Sequence, residues 1–389
     1  MRIAEVKCFP VRRGLCLVKI ETDDGQYGWG EAGPSAWGRE LAAQGMVTHF
    51  RELLIGRDPR NIGVLWQEMF RKGSGLDGGR VEMAVVSAVD VALHDLVAKS
   101  HGVPVYHLLG GRHRDFVPCF TPTTNPDAPD AVEIVKSMLD EGWEVLRLSM
   151  GGGEAADLFE PRHSIAVTAR GLIELRQAVG PEPVLGIDYH TMFTVAEAAA
   201  FCQRLPHGTL DFIEDPLHNG TPGAYRALRR MTEVPFALGE AFTSKWDWLP
   251  FIEEDLVNLA RIDIANVGGF TEAMKVAALC EAHYIEMMPH LAISPIQTAT
   301  IIHFAAAVPN FAWMEDRHRD TRALVEGKRS SYRPPDSRMY PMHLEPDGVR
   351  WPVPTGPGLG VEVNEQMLEA PYELSPDRPT RRLDGSLTL

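Results

Sequence analysis

Several absences narrow the class of this chain before anything present is weighed. Its 389 residues hold five cysteines, Cys8, Cys16, Cys119, Cys202 and Cys280, odd in number, scattered, and without a C-x-x-C pair. A disulfide scaffold and a cysteine-based zinc or redox motif are thereby set aside, and reduced core residues are the simplest reading. No window approaches the length and apolarity of a membrane span, and "MRIAEVKCFPVRRG" lacks the apolar core of a secretory leader, so a cytoplasmic location is expected. Positive charge is short as well. With 38 Lys and Arg against 53 Asp and Glu the net charge is −15, which argues against nucleic acid or an anionic membrane as partner. No G-x-G-x-x-G follows a first strand, so a doubly wound dinucleotide fold is not indicated.

What is present has two organisational styles. From residue 1 to about 117, strand-like "IAEVKCFPV", "LCLVKIET" and "YGWGEAG", with "DDGQ" as a turn, precede helical periodicity in "MVTHFRELLIG", "GVLWQEMFR" and "VEMAVVSAVDVALHDLVAKSHG". Strands first and helices second describe an α+β unit. From 118 to about 325 the chain alternates: "FVPCFT", "VLRLSM", "VLGID", "LDFIE", "PFALGE", "LARIDI", "YIEMMPH" and "FAWME" are separated by helical segments. Eight strands with intervening helices predict an α/β fold, a (β/α)8 TIM-type barrel carrying an N-terminal α+β cap. Residues 326–389 are rich in Pro, Gly and charge, and are expected to fold back on the cap, ending in a loose tail. Glycine-rich "KGSGLDGG" and "SMGGGE" read as loops, with a lid as the functional alternative.

Three acids end successive strands: Asp188, Glu214 and Glu240, each 26 residues after the last (214−188 and 240−214). That interval is about one βα unit, so in a parallel barrel the carboxylates crowd at the C-terminal rim, where a cation relieves their repulsion. Oxygen-only ligands favour Mg²⁺ over Zn²⁺. The plainer alternative is that each acid caps the following helix. His190, two residues past Asp188, points to the same side if the chain stays extended, and beside a metal ligand it suits acid or base work. Asp263, His290 and Glu315 continue the rim series at spacings of 27 and 25 (290−263 and 315−290). On neighbouring strands Asp263 is placed to orient His290, although it too could be a helix cap.

These segments, together with "AVDVALHDLVAKSHGVPVYHLLGG", "RIDIANVGGFTEAMKVA" and "TGPGLGVEVNE", resemble the enolase superfamily, and within it the acid-sugar dehydratases of the mandelate racemase-like branch. The resemblance implies Mg²⁺ on Asp188, Glu214 and Glu240, a catalytic arm of His290 with Asp263, a second histidine, His190, across the site, and Glu315 sharing a proton with the substrate carboxylate. Where lactonising relatives carry K-x-K, this chain has Arg147-Leu148-Ser149. A guanidinium stays protonated, so Arg147, with Ser149, is expected to anchor substrate and not to act as base. The implied reaction removes the proton α to the carboxylate of a galactonate-, gluconate- or mannonate-like acid and expels its 3-hydroxyl. A racemase or epimerase, a cycloisomerase, or a non-catalytic metal- or sugar-binding protein remain as alternatives. A homo-oligomer is expected from the same resemblance.

Overall fold

The computed structural model describes residues 1–11, 15–33, 39–72, 79–152, 158–218, 221–290, 294–317, 336–368 and 380–387. Most of "GPSAWGRE", "KGSGLDGG" and the start of the tail lie outside these residues, as does the end of "SMGGGE". The cap opens with an antiparallel sheet of β1 (Ile3–Val11), β2 (Leu15–Thr22) and β3 (Tyr27–Ala32). Three helices follow, α1 (Glu40–Leu54), α2 (Ile62–Lys72) and α3 (Arg80–His101). Period two on β3 decides how they pack. Gly28 and Gly30 put no side chain on the face that meets α3: a Cβ there would sit 2.1 Å from the Ala92 carbonyl oxygen and 1.9 Å from that of Ala88. Small residues spaced by four on α3 and by two on β3 thus let the two backbones touch. Tyr27, Trp29 and Glu31 fall on the other face of β3.

Eight parallel strands form the second body in the order expected: β4 (Phe116–Pro122), β5 (Val145–Ser149), β6 (Val184–Asp188), β7 (Phe212–Glu214), β8 (Phe236–Leu238), β9 (Leu259–Ala260), β10 (Glu286–Met287) and β11 (Met314–Glu315). Neighbours pair in sequence from β4 to β10, and β11 returns to β4. The ring closes between β10 and β11 through a single parallel bridge, Met287 to Phe311, with Met287 N–H donating to Asn310 at 2.7 Å and Ala312 N–H to Met287 at 2.9 Å. A short antiparallel strand, β12 (Arg350–Pro352), adds to the first half of β4. The outer helices are α4 (Ala131–Asp140), α5 (Pro161–Val179), α6 (Val195–Cys202), α7 (Pro222–Arg229), α8 (Lys245–Glu253), α9 (Ile264–Val267), α10 (Gly269–Ala282) and α11 (Pro295–Ala307).

Cap and barrel are joined by buried polar contacts that bear on the rim. Ser87 Oγ of α3 accepts Gly268 N–H at 2.8 Å, Asp90 accepts Thr271 N–H at 3.1 Å, and the Trp66 indole donates to the Gly268 carbonyl at 2.7 Å. All three hold the α9–α10 junction, immediately after Asp263. Of residues 336–368, β12 lies on the barrel and the stretch from about 358 onward meets the cap. Asp95 accepts from the backbone of both Trp29 and Leu359, Lys99 reaches Glu362 at 3.3 Å, and the Tyr27 hydroxyl donates to Glu362 at 2.7 Å. No described helix is long and apolar enough to cross a membrane.

Candidate active site

Register brings the rim acids together. Ser149, Asp188 and Glu214 are direct partners across β5, β6 and β7, and Ala237 of β8 pairs with Glu214. Glu240 follows β8 after Gly239, whose φ of +118 only glycine adopts readily and where an added Cβ would sit 2.2 Å from the Trp248 ring. The turn aims Glu240 at the same centre. Glu214, Asp215 and Glu240 each offer a carboxylate oxygen, all within 4.8 Å of one another. Asp188 adjoins this group through its strand pairing with Glu214. Sequence reasoning named Asp188 and passed over Asp215, which sits at φ +35 just beyond β7. Non-glycine residues in that region cost on the order of 1–3 kcal/mol and gather at functional sites.

His190 reaches Asp188 by a route the extended-strand argument did not foresee. β6 ends at Asp188, and His190 and Thr191 both take positive φ, 46 and 64. The left-handed turn lets the His190 backbone N–H donate to Asp188 Oδ1 at 2.8 Å while its Nε2 lies 3.1 Å from Oδ2. Its ring is mostly exposed toward the mouth of the barrel.

Across the acid row, His290 Nδ1 meets Asp263 Oδ2 at 2.8 Å, and its Nε2 lies 3.7 Å from Glu240. Asp263 Oδ1 accepts Ala265 N–H at 2.9 Å, so the residue is the cap of α9 and the partner of the imidazole at once, one oxygen for each. Burial opposes the charged imidazole, but the charge of Glu240, then the hydrogen bond and charge of Asp263, outweigh it and raise His290 to about 9.

Beneath the rim the structure places Arg147 differently from the expected substrate anchor. Its guanidinium is buried and committed to protein acids: Glu214 at 2.9 and 3.0 Å, Glu315 at 3.1 Å and Asp188 at 3.4 Å. Arg261, fully buried, binds Glu214 at 2.8 Å, Glu315, and the carbonyls of Met288 and Pro289. Arg317 adds a third guanidinium to Glu315 at 2.9 Å. Although burial opposes it, the charges of Arg147, Arg261 and Arg317 hold the Glu315 carboxyl well below the usual carboxylate range. Glu315 thus accepts from three guanidinium groups in this structure. Ser149 stays at the rim, half-buried, beside Asp188. Arg261 was legible only as a cation inside the apolar run "LARIDI", two residues before Asp263 and on the same strand face.

Arg147, Arg261 and Arg317 together match the three charges on Asp188, Glu214 and Glu315, while Asp215 and Glu240 add negative charge above them that no cation among these groups balances. The donor set is all oxygen, and the buried Oδ2 of Asp188, in ion-pair contact with His190 and Arg147 but without a well-aligned hydrogen bond, keeps lone-pair capacity. Both observations fit a hard divalent cation.

Comparison with known proteins agrees with this geometry. Residues 130–367 match the enolase C-terminal domain-like family, and residues 11–110 match the mandelate racemase / muconate lactonizing enzyme N-terminal domain. A D-galactonate dehydratase of Verminephrobacter eiseniae is 30% identical over 100% of this chain and 99% of its own. A D-galactonate dehydratase family member of Streptomyces bingchenggensis is 32% identical over 97% of this chain and 94% of its own. Among solved structures, an enolase of Pantoea ananatis with bound D-gluconate and Mg superposes with a TM-score of 0.87 at 27% identity, covering 100% of this chain and 99% of that one. Two matched domain families, in the order in which cap and barrel occur here, place this chain in the mandelate racemase/muconate lactonizing enzyme branch of the enolase superfamily.

Proposed function

We propose that the protein is a Mg²⁺-dependent dehydratase of an aldonate of the galactonate or gluconate type. The observation that carries this reading is a histidine, His290, oriented by Asp263 with its free nitrogen turned toward the acid row. Asp188, Glu214 and Glu240, with Asp215 beside them, would hold the cation. When bound, that ion supplies positive charge to the carboxylate side of the substrate as the enediolate develops, and offsets the Glu240 charge that keeps His290 protonated. With Nδ1–H donated to Asp263, His290 Nε2 takes the α-proton. His190, on the far side of the acid row, donates a proton to the departing 3-hydroxyl, which leaves as water. The resulting enol becomes a 2-keto-3-deoxy acid. Arg147 and Arg261 are positioning residues in this scheme, fixing Glu214 from below. The D-galactonate dehydratase relatives and the gluconate- and Mg-bound neighbour support the substrate class and the ion.

The test is a panel of aldonates assayed for 2-keto acid with Mg²⁺ present, then after chelation. Turnover of at least one member, abolished by EDTA and restored by Mg²⁺, is expected. Silence across galactonate, gluconate and mannonate, or full activity after rigorous chelation, would sink the reading.

A further inference from the structure

Glu31, next to last in the cap strand β3, is 2% exposed and takes no part in the scheme above. It lies on the face of β3 opposite the glycines that touch α3. Its Oε2 accepts a hydrogen bond from Ser294 Oγ, while Oε1 is buried without a partner. Ser294 is the N-cap of α11, its Oγ accepting Gln297 N–H at 3.1 Å, and it stands four residues after His290 in the sequence. We infer that Glu31 is a positioning residue for the reaction: its carboxyl group latches the cap strand to the start of α11, while Gly33 N–H just past the end of the same strand donates to the Ala265 carbonyl at 3.2 Å, and together they set the pose of the Asp263–His290 pair.

The surroundings require the latch to be a neutral acid. Asp263 approaches from the start of α9, Tyr340 from the C-terminal segment and Cys16 from β2, with Glu40 of α1 beyond Cys16. No cation is among these groups, and an unpaired buried carboxylate is costly. Burial raises the Glu31 carboxyl, the Ser294 hydrogen bond lowers it, and the charge on Asp263 raises it again, from 4.5 to about 8. Ionisation would set a second negative charge beside Asp263 and disturb the acid that orients the base. The positioning role rests on the reading of His290 as that base; the latch itself does not.

Thermal unfolding of the wild type, Glu31→Gln and Ser294→Ala, followed from about pH 5 to about pH 9, tests the latch without substrate. Folded Glu31 keeps a proton that the unfolded chain loses above 4.5, so its stabilisation is complete below that value and is lost as pH rises to about 8. Wild-type Tm is expected to fall relative to Glu31→Gln through that window and to run parallel above it. Ser294→Ala removes a bond that favours the ionised form, so its decline extends to higher pH. Parallel Tm curves for all three proteins would overturn the latch. In the activity arm, the ratio of Glu31→Gln kcat to wild-type kcat rises as pH passes about 8, where the wild type declines, with no matching change in the ratio of KM values. Coincident kcat profiles alongside divergent Tm curves would overturn the positioning role. Should Glu31→Gln fail to fold, the displaced window of Ser294→Ala decides. Absence of turnover by the wild type strikes the reaction reading alone, because the thermal arm uses no substrate.

Discussion

At the scale of single residues the two histidines are separable. His290→Asn removes the base, and is expected to stop both dehydration and exchange of the α-proton with solvent deuterium. His190→Asn is expected to lower dehydration by about 10²–10⁴-fold while exchange persists, since base and acid row remain. Exchange surviving in His290→Asn and lost in His190→Asn would reverse the roles. Asp263→Asn is a sharper probe than the sequence suggested, because asparagine still caps α9 as aspartate does. Its Tm should stay near that of the wild type while kcat falls by on the order of 10²-fold or more. A parallel loss of Tm would make Asp263 chiefly a cap. Glu214→Gln leaves Arg147 and Arg261 short of a charge, and a loss on the order of 3 kcal/mol in denaturant titration is expected. The acids and histidines were legible because each ends an apolar run at one phase of the βα repeat. The arginines that hold them were not, since burial of a guanidinium inside a barrel depends on partners on other strands, as far as 168 positions away for Arg147 and Glu315.

Secondary-structure elements show where periodicity suffices and where it stops. All eight barrel strands were visible as apolar runs, yet β9, β10 and β11 shrink to two paired residues each, because pairing ends where the chain turns inward to the rim. The same cause defeated the geometric argument for His190: an extended strand was assumed to continue two residues past its actual end at Asp188. Close approach of β3 to α3, by contrast, follows from glycine at alternate positions. Gly30→Ala would drive a methyl group to 1.9 Å from the Ala88 carbonyl oxygen, a backbone atom that cannot rotate away. Destabilisation of about 1–3 kcal/mol or more is expected by thermal or urea unfolding. Because the other face of β3 carries Glu31, a parallel loss of kcat should accompany it.

For the molecule as a whole, the cation is expected to act as a stabiliser as well as a reagent. Only the folded chain brings Asp188, Glu214 and Glu240 together, so Mg²⁺ at 100 times its Kd should add about 2.7 kcal/mol, seen as a concentration-dependent rise in Tm. No rise with Mg²⁺ or Mn²⁺ would remove these residues as a metal site. Light scattering at micromolar concentration checks the expected homo-oligomer, and a monomer would contradict it. How the stretch from about 358 onward meets the cap was foreshadowed only by composition. Pairings such as Glu362 with Lys99 and Tyr27 span most of the chain and leave no local period.

The joints of the barrel are unequal. Between β5 and β6 five residue pairs interlock, whereas among the described residues β10 and β11 meet at one bridge and two backbone hydrogen bonds. A ring fastened so unevenly is expected to open first at its clasp. Amide hydrogens of Met287 and Ala312 should therefore exchange with deuterated solvent before those of Leu146 and Ile187. His290 and Glu315 stand at the two ends of this clasp, whereas Asp188 and Glu214 lie on the firmly stitched side. Partial opening parts the proton-abstracting side of the pocket and leaves the carboxylate cradle whole, so a warmed enzyme should lose turnover at a lower temperature than it loses bound metal.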